Sequence, residues 1–148
     1  MKTIIKIAFI TTIFLGINTS VNAQCKTFTK NECKPLLDPY IYNGQLNSAV
    51  LNEGDFAELM LTFYSNQEYR VVVCSAEELG PVNFKLLDME GNEIFANKDH
   101  NMINHWDFAT NSTQQLRVEV SVPESTKKGE HYKSGCVSIL VGFMDTKE

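Results

Sequence analysis

From Gln45 onward the sequence predicts an all-β fold, an antiparallel sandwich or jelly roll of about eight strands. Three observations carry this expectation. Short β-type runs recur at even spacing, turn residues bound each of them, and no stretch repeats its apolar positions like a long amphipathic helix. Two segments precede the β domain (residues 45–148): a leader over 1–23 and an irregular entry segment over 24–44.

The leader has the form of a cleavable secretory signal. Lys2 and Lys6 supply a basic start, Ile7 to Ile17 an apolar run, and Val21-Asn22-Ala23 the small-residue pattern before a cut at Gln24. Thr11, Thr12 and Gly16 interrupt the apolar run, which falls short of the roughly 20 residues of a spanning helix, so cleavage is favoured over a retained anchor. Lipidation at Cys25 is disfavoured because Gln24, rather than a small residue, stands before it. The expected location is secreted or periplasmic, with no transmembrane segment in the mature chain.

In the entry segment Pro35 and the Asp38-Pro39 step discourage helix, and Asn43-Gly44 supplies a turn. The first three runs are 45–51, 56–64 and 68–75, separated by Glu53-Gly54-Asp55 and Ser65-Asn66-Gln67. In the third, Tyr69, Val71 and Val73 share one face and Arg70, Val72 and Cys74 the other, and its β-branched residues mark it as central. Ala76 to Leu79 can form one helical turn. Val82 to Asp88 and Glu93 to Ala96 are joined by Met89-Glu90-Gly91-Asn92, where Gly91 can take positive φ cheaply, making the clearest hairpin of the chain. After a polar loop, 105–109 points Trp106 and Phe108 to one side. In 115–122 Leu116, Val118, Val120 and Val122 alternate with Arg117, Glu119 and Ser121, the pattern of a strand wet on one face. The last run, 136–143, turns Val137, Ile139, Val141 and Phe143 inward. Phe56, Phe63, Phe84, Phe95, Trp106, Phe108 and Phe143 are read as core between two sheets.

Composition narrows the partners. Loss of the leader leaves 125 residues, enough for one domain, and a net charge of minus 7, since the leader holds two of the 13 basic and none of the 18 acidic residues. Such a chain gains no counterion-release energy on nucleic acid and is repelled by anionic lipid, so neither is an expected partner. Lys127-Lys128 reads as a solvated loop. Cys25, Cys33, Cys74 and Cys136 are an even set in an exported chain, which predicts two disulfides, and their spacing does not fit zinc. Cys74 and Cys136 share outward parity on runs expected to be antiparallel neighbours, which predicts a Cys74–Cys136 bridge with a local Cys25–Cys33 bridge.

A Tyr-Arg-Val-Val-Val strand at 69–73, the Leu-Leu-Asp-Met-Glu-Gly-Asn-Glu-Ile turn unit at 86–94, the aromatic strand at 105–109 and a closing β pair together resemble the small bacterial β-sandwiches related to the pre-peptidase C-terminal (PPC) domain. The resemblance spans roughly 45–143 and implies a non-catalytic accessory of a secreted protein.

Motifs for chemistry are weak. No G-x-S-x-G elbow occurs, and bridged cysteines are not nucleophiles. His100 and His105, with Asp99 and Asp107, could line a divalent site, but their spacing suits neither a helical nor a same-face strand pair. Asp88, Glu90 and Glu93 suggest calcium around Gly91 but lack the longer ligand pattern, so a polar hairpin tip is the preferred reading. No catalytic residue, metal or cofactor is assigned. Asn111-Ser112-Thr113 fits a glycosylation acceptor. The expected function is that of an exported binding, envelope or accessory module for a protein or carbohydrate ligand, with Tyr40, Tyr42, Tyr64 and Trp106 as the candidate binding face. The alternative is a small secreted hydrolase using loop carboxylates or histidines.

Overall fold

Nine strands in two antiparallel sheets form the protein in a computed structural model that describes residues 20–124 and 132–145. The expected leader, apart from 20–23, lies outside the described residues, as do Lys127, Lys128 and His131.

The strands are β1 (Ile41–Tyr42), β2 (Asn47–Asn52), β3 (Phe56–Phe63), β4 (Gln67–Ser75), β5 (Asn83–Leu87), β6 (Glu93–Ala96), β7 (His105–Thr110), β8 (Gln114–Ser121) and β9 (Ser134–Asp145). One sheet runs β2-β9-β4-β7, with β1 sharing the β2 edge of β9, and the other runs β3-β8-β5-β6. The pairing is nested: β5 with β6, β4 with β7, β3 with β8, β2 with β9. This is a jelly roll, a long antiparallel ribbon folded over so that its pairs fall alternately into the two sheets. The tip of the ribbon is the β5–β6 hairpin, where Gly91 has φ +88°. There the Asp88 carboxylate accepts bonds from the backbone N–H groups of Glu90 (2.9 Å) and Asn92 (2.8 Å) and from the Asn92 side chain (2.8 Å). Those bonds, the Asn92 side chain's first, hold its pKa below the ordinary value.

The inner faces follow the expected alternation. Tyr69, Val71, Val73, Val137, Ile139 and Val141 from the first sheet meet Leu61, Phe63, Phe84, Leu86, Phe95, Leu116, Val118 and Val120 from the second. Phe63, Tyr69 and Phe108 pack edge-on or tilted at one end of this core, and Phe95, Trp106 and Phe108 stack at 4.5–5.0 Å near the β6/β7 side. Phe56 departs from the expected core set. It has outward parity on β3 and is 56% exposed.

The entry segment is irregular, mixing three helical geometries as far as Leu37, α1 (Ser20–Phe28), a π turn (Thr29–Cys33) and a 3-10 turn (Lys34–Leu37), and losing helix at the Asp38-Pro39 step before β1. Pro35 does not prevent this, because it stands in the first turn of the 3-10 piece, where a missing N–H costs nothing. The segment lies as a strap over the outer face of the first sheet, where Cys33 and Leu37 pack on Val72, Cys74 and Leu140 with Phe28, Leu36 and Tyr42 around them. Thr29 is buried beneath it and hydrogen-bonds to Ser138 at 2.6 Å. Gly142 is needed for this contact, because a Cβ there would lie 2.6 Å from Tyr40 Cβ and 3.1 Å from Leu37.

The strap also corrects the expected disulfide pairing. The bridges are Cys25–Cys136 and Cys33–Cys74, with Cα separations of 5.3 and 5.9 Å, and not Cys74–Cys136 and Cys25–Cys33. β4 and β9 are neighbours, and Cys74 does lie opposite Ser138, but Cys136 is two residues farther along, level with the end of β4. Both thiols face out to the strap, which brings one cysteine to each. In the chain-entropy model the 111-residue and 41-residue separations correspond to about 5 and about 4 kcal/mol before native strain is subtracted.

Two outcomes are expected. Non-reducing peptide mapping recovers Cys25 joined to Cys136 and Cys33 joined to Cys74, and replacing either pair by Ala lowers the denaturant midpoint. Gly142→Ala, which removes no contact, costs on the order of 1–3 kcal/mol in urea unfolding by forcing the strap off its seat.

Candidate functional site

β2 and β3 are joined by a tight turn, so the edges of the two sheets lie together along one side of the molecule. Here the sandwich is open. β1 and β2 occupy the same edge of β9 but are interrupted over 43–46, and the gap leaves a cavity of about 500 Å³ lined by Asn43, Gln45, Met60, Thr62, Tyr64 and Gln67 over a floor of Leu61, Phe63, Tyr69, Val141 and Phe143. Farther along the same side, a second cavity of about 330 Å³ lies between Leu46, Asn47, Ala49 and Leu51 on one wall and Ala57, Glu58 and Leu59 on the other, floored by Val120, Val137 and Ile139.

The polar groups of the first cavity are held in place. Tyr69 donates its hydroxyl to Gln67 Oε1 (2.6 Å) and accepts from the Tyr64 backbone N–H (2.8 Å). Burial raises the Tyr69 pKa above the ordinary tyrosine value, which keeps the phenol neutral. Neither lining contains a lysine, arginine or histidine, and Glu58 is the single carboxylate among the lining residues of the two. A neutral, apolar floor rimmed by amides and hydroxyls suits apolar groups and supplies no acid–base pair.

The proposed aromatic face is not a face. Tyr64 is 62% exposed and lines the first cavity, whereas Trp106 is stacked between Phe95 and Phe108 inside the sandwich. Tyr40 and Tyr42 belong to the opposite layer, at the strap, where the Arg70 guanidinium lies over the Tyr40 ring at 4.7 Å and Lys34 over Tyr42 at 5.5 Å. Parity separates them: aromatic residues of one sheet share a surface only when their strands place them on the same side. Met60 and Thr62 of β3, and Asn43, Gln45 and Leu46 before β2, were not singled out by their types. Their signal is that β3 carries apolar residues on both faces, Phe56 and Met60 as well as Leu59, Leu61 and Phe63.

Asp107, His100 and His105, considered for metal or acid–base work, are engaged elsewhere. Asp107 accepts a two-pronged pair from Arg70 at 2.7 Å each, and the same guanidinium donates to the backbone carbonyls of Asp38 (2.8 Å) and Leu36 (3.2 Å). Arg70 thus ties β4, β7 and the strap at one point. Its bonds hold the Asp107 pKa below the ordinary aspartate value. His100 stacks on Phe95, and His105 bonds to Asn104. Among the described residues, no three His, Cys, Asp or Glu side chains converge as a metal cage, and no helix is long and apolar enough to cross a membrane.

No family model matches the chain, and no curated protein matches it. Among solved structures, the chain is similar to PliG of Aeromonas hydrophila, a periplasmic lysozyme inhibitor of g-type lysozyme, at 11% identity and a TM-score of 0.48, covering 72% of this chain and 89% of that one. It is also similar to a de novo designed double-stranded β-helix, at 12% identity and a TM-score of 0.31, covering 68% and 99% of the two chains.

The Arg70–Asp107 pair has a pH signature. Because the folded-state pKa of Asp107 is depressed, its contribution is complete above the unfolded aspartate value near 4 and is lost as pH falls through the lower folded value. Asp107→Asn is expected to cost about 1 kcal/mol at pH 7, since the pair is partly exposed, and to flatten the acid limb of the stability curve. Urea titrations between pH 7 and pH 2 of both proteins measure this.

Proposed function

We propose that this chain is an exported, non-catalytic module that binds another protein through the open β2–β3 side of its jelly roll. The observation that carries the reading is the pair of apolar-floored cavities, without lysine, arginine or histidine in their linings, that lie side by side along the β2–β3 edge of a doubly bridged domain. Two disulfides suit an oxidising compartment, secreted or periplasmic, and the leader pattern at 1–23 supports export with cleavage before Gln24. A protein ligand is favoured over a carbohydrate, because the candidate tyrosines and Trp106 do not build the flat aromatic platform on which sugar rings stack. An accessory role of the kind implied by the pre-peptidase C-terminal resemblance belongs to the same class of function.

The test uses the secreted protein, whose N-terminal sequencing is expected to start at Gln24. It is screened against a displayed random-peptide library and a panel of neutral oligosaccharides, together with Gln45→Trp, which fills the rim of the larger cavity. Peptides are expected to be selected, with affinity reduced at least tenfold by Gln45→Trp. Retention of saccharides alone, or peptide binding indifferent to the plug, would sink the proposal.

A further inference from the structure

β3 lies at the end of its sheet, and its second edge carries no strand among the described residues. The backbone pattern shows which groups that edge presents. Val122 N–H donates to the Asp55 carbonyl, so Phe56 and Ser121 are a non-hydrogen-bonded pair, and Ala57, Leu59, Leu61 and Phe63 direct their N–H and C=O groups to β8. Phe56, Glu58, Met60 and Thr62 direct theirs to the open edge.

Natural edge strands of this length are blunted by lysine, proline or a bulge. This one is not: residues 43–64 contain no Lys, Arg or Pro, and β3 pairs with β8 in unbroken register over eight residue pairs. The two cavities lie beside this edge, one at Ala57 to Leu59 and the other centred near Thr62. Their centres are about four residues apart along β3, or about 13 Å, the distance between side chains i and i+4 on one face of an extended chain.

Charge narrows the occupant. Glu53, Asp55 and Glu58 are the charged residues of 43–64. On the outer face Arg117 is 3.1 Å from Glu119, which also holds Lys85 at 3.2 Å, whereas Glu58, 56% exposed, is 3.9 Å from Arg117. A strand beside β3 would set an outward side chain opposite Glu58, where a Lys or Arg forms a favourable cross-strand pair.

We infer that β3 takes up an extended segment of a partner protein as a tenth strand, with inward apolar side chains of that segment at i and i+4 seated in the two cavities and an outward basic side chain opposite Glu58. The inference rests on the protein-binding reading above and adds its mode, strand addition, in which main-chain bonds supply affinity and the cavities supply selectivity. A second copy of this chain fits the site poorly, because its own β3 brings Glu58 and no basic residue, and each mature copy carries a net charge of minus 7.

The probe is a capped synthetic peptide alternating lysine with leucine or valine, added to the isotope-labelled secreted protein. Binding is expected to slow amide exchange at Glu58, Met60 and Thr62 while leaving the β3–β8 amides of Leu59 and Leu61 as they were. N-methylation of the peptide at alternate residues should weaken it at least tenfold in one parity and little in the other, and replacing its lysines by glutamates should weaken it at least tenfold. Met60→Pro deletes one open-edge N–H without removing a bond to β8 and should abolish binding; the N-methyl series decides the question if that variant does not fold. Cleft binding that tolerates N-methylation in both parities overturns strand addition while the protein-binding reading stands. Library peptides that bind while the lysine–leucine probe does not would overturn the basic, extended chemistry alone. A self-dimer in sedimentation equilibrium that Met60→Pro abolishes overturns the choice of partner in favour of a second copy.

Discussion

Burial of β4 and β9 on both of their faces is the constraint on which the rest of this structure depends. Their inner faces, Val71, Val73, Ile139 and Val141, complete the sandwich core, and their outer faces, Val72, Cys74 and Leu140, would meet water if the sandwich were the whole molecule. The helical strap removes that apolar surface from solvent, and the two disulfides fasten it at separate points. Bridges from Cys25 to β9 and from Cys33 to β4 restrict the unfolded chain over long loops and leave the strap little freedom to lift. The outer layer is closed by a polar clasp in which Arg70 holds two strap carbonyls while paired to Asp107 on β7.

The strap also determines where the molecule is free to interact. It covers the outer face of the first sheet, and the polar network of Lys85, Arg117 and Glu119 hydrates the outer face of the second. At the β6/β7 side, Phe95, Trp106 and His100 stack across the gap between the sheets. The β2–β3 side has no such aromatic stack. There the chain bulges away from β9 between Asn43, whose N–H still donates to the Val141 carbonyl, and Asn47, and the β3 edge keeps its hydrogen-bonding groups unpaired by any strand among the described residues.

The nested topology explains which strands were easiest to read. The β5–β6 hairpin is the ribbon's tip, and its register comes from local chemistry, Asp88 bonding across the turn and Gly91 at positive φ. β8, wet on one face, shows the strict alternation of Leu116, Val118 and Val120 with Arg117 and Glu119. The runs Val71-Val72-Val73 and Ile139-Leu140-Val141 carried more information than alternation alone conveys, since consecutive buried residues in a strand signal cover on both faces. That cover identifies the strap's seat, and it is the reason cysteines of outward parity do not bond to each other. Phe56 misleads for the opposite reason: an aromatic on a strand edge is counted as core by type, whereas its parity places it outside.

By itself the sequence determined the all-β class, eight of the nine strands, the side-chain alternation of β4, β5, β7, β8 and β9, and an even set of bridged cysteines, because each of these follows from local periodicity, turn chemistry and composition. Tertiary structure decided the partners. Whether Cys136 meets Cys74 or Cys25, whether Tyr40 and Trp106 share a surface, and which strand edge stays open depend on how distant segments are layered. Those choices rest on small differences in packing between elements far apart in the chain, and such differences leave no mark in the spacing of neighbouring residues.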